Sequence, residues 1–279
     1  MILKSFSKIN LSLTINKKFK KSRLHDIQSY FCLLNLYDKI KIKKIKGRKD
    51  VVTFKGKFAK FVDGKNNSIL KVLKILRKKY LISNYYSVVV DKRIPVFAGM
   101  GGGTSNAACL IRYFTGNKIN KNIIDVLDKK IGSDLRLFFY DQGFLKNLKI
   151  IDNFYRKFTL YFLLVYPNIR SSTSDVYSKV KRYSKKSKYR SSKIKDKNKF
   201  IEFLISQQND LQLIVENKYP TIKKLILEIG QKKGCYFSRM TGSGSVCYGV
   251  FKSHKMAKAA LNRVKLKHPK YWMSVAKTI

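Results

Sequence analysis

Four glycines, Gly99, Gly101, Gly102 and Gly103, crowd into five positions of the stretch PVFAGMGGGTSNAACLIRYF, residues 95–114. Glycine reaches backbone angles that other residues avoid and lets a ligand approach the main chain closely. Thr104, Ser105 and Asn106 follow as helix-capping types. Ala107, Ala108, Leu110, Ile111 and Phe114 then repeat at helical spacing as far as Gly116. A helix start exposes unpaired N–H groups at the positive end of a dipole, so this pattern suits a phosphate. It is not a Walker loop, because no Gly-Lys-Ser/Thr closes it. It fits the dinucleotide fingerprint poorly, because the later acidic partner is not evident. A second glycine-serine loop, Gly242, Ser243 and Gly244, lies in RMTGSGSVCYGVF at 239–251. Asp134 follows Gly132 and Ser133, and taken alone it reads as a turn aspartate. Cys32, Cys109, Cys235 and Cys247 are scattered without a CxxC pair, which argues against zinc and for reduced cytosolic thiols.

The elements that must position these residues are legible from periodicity. Residues 4–15 alternate Ile9, Leu11, Leu13 and Ile15 with polar partners, a half-buried strand with Lys8 and Asn10 on the opposite face. Arg23, Leu24 and His25 sit in a polar, lysine-rich turn. A second apolar segment at 27–36, an alternating run after it and VVTF at 51–54 read as strands. Ile69, Leu70, Val72, Leu73 and Leu76 make a helix face after Asn66 and Asn67, and YYSVVVD at 85–91 is the strand feeding the glycine loop. A short helix at 121–132 ends at Gly132, and Ser133 and Asp134 precede an apolar strand. The apolar run at 159–167 predicts a central strand. The segment 181–199 is basic and serine-rich, a solvated loop or flap. A helix over 200–216 includes Asn209 and Asp210, another runs from Pro220 to Gly230, a basic one spans 254–267, and a last strand follows. A boundary near 150–158 divides two α+β halves, 1–155 and 156–279.

The chain has 279 residues, 44% apolar and 28% charged, which is ordinary for a globular protein with a real core. No apolar run approaches the roughly 18 residues of a membrane span, and the N-terminal stretch reads as a first strand and not a signal peptide. The net charge of +45 is the outlier. Lysines are spread over nearly every segment, so compositional drift is favoured over a dedicated nucleic-acid face, and a phosphorylated substrate gains from the field in either case.

Four segments in fixed order, SKINLSL, PVFAGMGGGTSNAA, GSD and RMTGSGSVCYGVF, together resemble the GHMP kinase superfamily of small-molecule kinases. Within it, the likeness is to the branch that phosphorylates the 2-hydroxyl of 4-diphosphocytidyl-2-C-methyl-D-erythritol with ATP, and it spans nearly the whole chain. The resemblance implies a ribosomal-protein-S5-like N-terminal domain and a ferredoxin-like C-terminal domain, with both substrates in a cleft between them. It implies Lys8 and Asp134 as the catalytic pair. It implies ATP contacts from Asn67, Lys92, Pro95, Gly99, Met100, Gly101, Gly102, Gly103, Thr104 and Ser105. Gly242, Ser243 and Gly244 would close on the transferred phosphate, and Asn10, His25 and Tyr177 would hold the acceptor, with Tyr177 stacking on cytosine. Mg²⁺ is expected with ATP, with no dense carboxylate cluster to fix its protein ligands, in a cytoplasmic bacterial enzyme, monomer or homodimer, without specific nucleic-acid binding. Two departures stand out. Leu24 replaces the tyrosine expected before the histidine, and Leu135 and Arg136 replace Val-Pro after the aspartate. Arg136 is close enough in sequence to pair with Asp134 or with a phosphate. The alternatives are another kinase of the superfamily, acting on homoserine, mevalonate or a sugar, and a basic RNA-binding protein on an S5-like fold.

Overall fold

The computed structural model describes residues 2–19, 24–116, 121–154, 156–187 and 194–279. In chain order the strands and helices are β1 (Ile2–Asn10), β2 (Thr14–Lys18), β3 (His25–Ile45), β4 (Val51–Lys55), α1 (Ser68–Lys78), β5 (Tyr85–Asp91), α2 (Gly102–Thr115), α3 (Lys121–Ile131), β6 (Gln142–Leu145), β7 (Ile151–Asn153), β8 (Tyr161–Tyr166), α4 (Thr173–Ser178), α5 (Lys197–Ile205), α6 (Gln212–Lys218), α7 (Pro220–Gly230), β9 (Cys235–Met240), β10 (Cys247–Phe251), α8 (His254–Lys267) and β11 (Trp272–Lys277). They form two compact units. One comprises Met1–Lys8, Leu36–Val96 and Gly101–Phe139, the other Ile9–Asn35, Phe97–Met100 and Tyr140–Ile279.

In the first unit, the alternating second half of β3 pairs antiparallel with β5, Lys39 opposite Asp91 through Ile45 opposite Tyr85. β4 joins β5 in parallel. Val88, Val90 and Ile40 are buried from this sheet, and Ile69, Val72, Leu73 and Leu76 of α1 present the apolar face that periodicity predicts. α2 buries Ala107, Ala108, Leu110 and Ile111 and ends at Gly116, whose φ of 55° is the left-handed conformation that closes a helix. One expectation fails here. Residues 135–139 do not form a strand. They make a tight 3₁₀ turn, Leu135–Phe139, because burying Leu135, Leu137 and Phe138 together requires helical and not alternating spacing.

In the second unit, the first half of β3 pairs with β2 and with β6, and β6 with β7. The apolar segment and the alternating run are therefore one 21-residue strand, and His25 opens it opposite Lys18 and does not sit in a turn. A separate antiparallel sheet has the order β11-β8-β10-β9. With α4 to α7 between β8 and β9, and α8 between β10 and β11, this is a β-α-β-β-α-β arrangement of ferredoxin type. β8 is central, as its apolar run predicts, and Phe162, Leu163, Leu164 and Val165 are fully buried. The helix expected over 200–216 is two helices, α5 and α6. Asn209 and Asp210 lie in the break: Asn209 Oδ1 accepts from the Leu211 N–H at 3.0 Å, a local bond that competes with helix continuation, while Asn209 Nδ2 donates to Met240 O and Asp210 Oδ2 accepts from the Ile15 N–H. The basic stretch 181–199 falls partly outside the described residues. Its described part is pinned: Ser184 N–H donates to Ile15 O at 2.8 Å, Ser187 N–H donates to Gln28 Oε1 at 2.8 Å, and Lys186 pairs with Asp26 at 2.7 Å.

Candidate active site

The chemistry-bearing residues of the first unit converge on the start of α2. Lys8 stands near the end of β1 with its side chain 3% exposed, and its Nζ lies 3.0 Å from Oδ2 of Asp134, whose side chain is 35% exposed. A buried cation thus holds a carboxylate that is still open to an incoming molecule. Gly101 is the cap position of α2 at φ 66°, and no side chain caps this end. A Cβ at Gly101 would lie 2.7 Å from Phe138 Cζ and 3.4 Å from Lys8 Cε, so the loop is pressed down onto the stem of the lysine and the ring four residues beyond Asp134. The glycine loop and the Lys8–Asp134 pair therefore form one cluster, with helix-start N–H groups beside an ammonium and a carboxylate.

Thr104, Ser105 and Asn106 lie inside α2 and do not cap it, because the helix starts earlier, at Gly102. Ser105 and Asn106 instead tie α2 to β1. Ser105 Oγ is 2.7 Å from Ser5 Oγ and donates to Phe6 O, and Asn106 Nδ2 donates to Ser5 Oγ at 2.9 Å. Lys92 is 2% exposed, and its Nζ donates to Asp38 and, at 3.0 Å, to Asn106 Oδ1. Asp38 is fully buried and also accepts from the N–H groups of Arg93 and Ile94, at 2.7 and 2.9 Å. Lys92 is thus a floor under the loop, with its Nζ 3.4 Å from a Cβ built on Gly102. Sequence reasoning missed Asp38, although a lone acid in an alternating strand signals a buried partner. Asn67 caps α1: its Oδ1 accepts from the N–H groups of Ile69 and Leu70, and its Nδ2 donates to the carbonyls of Asp63 and Gly64. Ser68 Oγ donates to Gly103 O at 2.7 Å, joining α1 to the first turn of α2. Pro95 and Met100 are buried on the loop's flanks. Arg136, expected near Asp134 or a phosphate, is committed elsewhere: its guanidinium bonds Asp125 and Asp128 of α3.

In the second unit, Gly242 and Gly244 take φ of 54° and 82°, the left-handed angles that turn the chain between β9 and β10. The turn is held from several sides. Asn209 Nδ2 donates to Met240 O and Gly242 O at 2.9 and 2.8 Å, Ser171 Oγ donates to Ser243 O at 2.6 Å, and the Asn10 N–H donates to Thr241 Oγ1 at 3.0 Å. A Cβ at Gly99 would overlap the carbonyl oxygen of Thr241, so the segment Phe97–Met100 packs directly on this second loop. Asn10 also donates from Nδ2 to Ser29 Oγ at 2.7 Å. His25 and Tyr177 come together, ring centroids 5.3 Å apart at 37°. His25 is buried, and its Nδ1 has no hydrogen-bond partner within the protein. Burial first, then the nearby Lys18 charge, lowers its pKa below the usual 6.5 and favours the neutral ring. Leu24, next to it, is 50% exposed. Arg23 lies outside the described residues.

All four cysteines are free thiols. Burial pushes those of Cys109 and Cys235 up to about 11, which leaves them poor nucleophiles. Among the described residues no three His, Cys, Asp or Glu side chains gather as a metal cluster. No helix among them is long and apolar enough to cross a membrane.

Known proteins resemble this chain in sequence and in fold. The sequence model of the GHMP kinases N terminal domain matches residues 67–131, and that of the GHMP kinases C terminal matches residues 198–270. A relative from Pelagibacter ubique, named 4-diphosphocytidyl-2-C-methyl-D-erythritol kinase, is 36% identical over 99% of this chain and 98% of its own. A crystal structure of 4-(cytidine 5'-diphospho)-2C-methyl-D-erythritol kinase superposes with a TM-score of 0.76 at 18% identity, covering 99% of both chains. The mevalonate kinase of Methanococcus jannaschii superposes with a TM-score of 0.65 at 17% identity, covering 100% of this chain and 98% of its own.

Proposed function

The chain belongs to the GHMP kinase family, and from that premise we infer that it transfers the γ-phosphoryl group of ATP to the 2-hydroxyl of 4-diphosphocytidyl-2-C-methyl-D-erythritol, a step of non-mevalonate isoprenoid biosynthesis. The fold alone does not choose the acceptor, since a mevalonate kinase shares it. The relative of 36% identity supports the cytidyl acceptor, and so does the pairing of His25, whose buried Nδ1 is without a partner, with the aromatic face of Tyr177. A base offering hydrogen-bonding edges and a π-face suits that pair. The family division, 1–155 and 156–279, is kept as a proposal; the two matched segments fall on either side of it.

The observation that carries the mechanism is the Lys8–Asp134 ion pair under Gly101. Phosphoryl transfer runs through a loose transition state with charge on the γ-phosphate oxygens, so catalysis is mostly positioning and charge stabilisation. In this reading the first-turn N–H groups of α2 face that charge and the Lys8 ammonium adds to it, while the family resemblance assigns contact with the transferred phosphate to Gly242, Ser243 and Gly244. The acceptor oxygen bonds to γ-phosphorus while the bond from phosphorus to the β–γ bridging oxygen breaks and ADP leaves. The hydroxyl proton passes to the Asp134 carboxylate. A carboxylate is a far weaker base than an alkoxide, so Asp134 orients the hydroxyl and takes the proton late, as the new bond forms. Mg²⁺ travelling with ATP would neutralise charge on the phosphates, and no step here runs through a protein-held metal. The need for ATP and the four free thiols favour a cytoplasmic setting.

Steady-state kinetics with the cytidyl acceptor, mevalonate and homoserine test the reading. Turnover is expected with the first alone, and preference for either of the others overturns the acceptor assignment. Asp134→Asn is expected to fold normally and lose at least about a hundredfold in kcat, since positioned proton acceptance contributes roughly 10²–10⁴. Near-parental turnover would remove Asp134 from the mechanism.

A further inference from the structure

Asp134 is carried by a very short connection. α3 ends at Ile131, Gly132 follows at φ 144°, and the 3₁₀ turn begins at Leu135. Local backbone bonds tie this connection to α3, Gly132 N–H to Asp128 O at 3.0 Å and Leu135 N–H to Gly132 O at 3.0 Å. The Leu137 N–H donates to Asp134 O at 3.1 Å. These bonds run along the connection, and any rotation of the turn about its axis swings the Asp134 carboxylate, whose Oδ2 also meets Lys8 Nζ at 3.0 Å. Leu135, Leu137 and Phe138 bury one side of the turn. Phe139 lies under the Arg112 guanidinium, 5.2 Å from Cζ to the ring centroid, and Arg136 ties the turn back to α3.

The Arg136 side chain is 11% exposed, and its planar fork reaches back to α3, Nε to Asp128 and Nη2 to Asp125. Asp125 and Asp128 are three residues apart, so they share one face of the helix and present two acceptors to one guanidinium. A guanidinium donating from two different nitrogens to two carboxylates resists rotation in a way that a point charge does not. The same turn also carries Phe138, against which Gly101 packs. We propose that Arg136 is the positioning residue for Asp134: its fork to Asp125 and Asp128 sets the roll of the turn and so the aim of the carboxylate at the acceptor hydroxyl. The inference rests on the reading of Asp134 as proton acceptor. It assigns Arg136 to neither substrate.

The test removes the fork from each side. Arg136→Met keeps the apolar stem and deletes the guanidinium, and Asp125→Asn/Asp128→Asn deletes the carboxylates and keeps the arginine. Each is expected to lower kcat about 10- to 100-fold, the scale on which small misplacements act, while the KM values for ATP and the cytidyl acceptor stay within about twofold. Arg136→Lys is expected to recover only part of the loss, because a point charge cannot fork. Combining Arg136→Met with the two asparagines is expected to add no further loss, since one interaction is removed twice. If Arg136→Met does not fold, the asparagine variants carry the same test. Parental kcat in a folded fork-deleted variant, even with a lowered Tm, overturns the inference and leaves a structural tie only. So does full rescue by Arg136→Lys. Asp134→Asn separates the two failures: if it is inactive while the fork variants work normally, only the positioning role falls, whereas an active Asp134→Asn removes the mechanism beneath it.

Discussion

Tyr177 and Leu24 carry the acceptor question at the scale of single residues. Tyr177 is half-buried on α4 against His25, whereas Leu24 is half-exposed and aliphatic where the family resemblance implies a tyrosine. On the proposed reading, Tyr177 is the matched aromatic that stacks on the cytosine. Base–aromatic stacking is worth about 1–3 kcal/mol. Tyr177→Ala is therefore expected to weaken acceptor binding by roughly 5- to 150-fold, at 1.4 kcal/mol per tenfold, and to leave ATP binding unchanged. Calorimetry with each substrate reads this directly, and parental acceptor affinity would dismiss the pocket. Leu24→Tyr should tighten the acceptor in the same titration. The pairing of His25 with Tyr177 was legible only as a family expectation, because no spacing rule brings residues 25 and 177 together.

At the scale of the element, the glycine loop separates structural from ligand-serving positions. Gly99 and Gly101 have positive φ and no room for a Cβ, so substitution there damages the fold whatever the ligand does. Gly102 is tight as well, with Ile94 Cγ2 3.1 Å from a built Cβ. Gly103 is different: it lies in the first turn of α2, and the nearest atom to its built Cβ is Ser68 Oγ at 3.8 Å. Gly103→Ala should leave the melting temperature unchanged or higher, since alanine is favoured over glycine in a helix by about 1 kcal/mol. If the first turn cradles phosphate, the same variant raises the KM for ATP. Unchanged ATP affinity in this stable variant would refute the cradle at the position where the fold does not confound it. Periodicity found α2 and its end, but put capping side chains at its start. The true start is glycine, and Ser105 and Asn106 are spent on β1 and the Lys92–Asp38 floor.

For the whole molecule, the net charge of +45 sets a field that every anionic substrate meets. Many of the few carboxylates are already in ion pairs, among them Asp26, Asp38, Asp50, Asp125, Asp128, Asp134 and Asp175. The excess lysines therefore repel one another and attract both substrates. Raising salt from about 0.01 to about 0.15 M shortens the screening length from about 30 to about 8 Å. The expected outcome is a higher KM for ATP and for the cytidyl acceptor, an unchanged kcat at saturation, and a higher midpoint of denaturation. KM values indifferent to salt would mean that the field does not reach the site.

The sequence by itself determined the elements and the chemistry they carry. Apolar spacing found the buried face of α1, Pro220 and Gly230 marked the two ends of α7, and β5 and α8 fall on the expected 85–91 and 254–267, because repeats and breakers are local properties. The order of the glycine loops, with Lys8 and Asp134, identified the family. Tertiary structure decided how buried charges are shared out. Only the packed chain sends Lys92 to Asp38, Lys8 to Asp134 and Arg136 away from Asp134 to Asp125 and Asp128. It also turned 135–139 into a 3₁₀ turn and split the helix expected at 200–216. The reason is the cost of burying polar groups: a charge taken out of water must find its partner wherever the fold brings one, and that partner lies at no fixed distance along the chain.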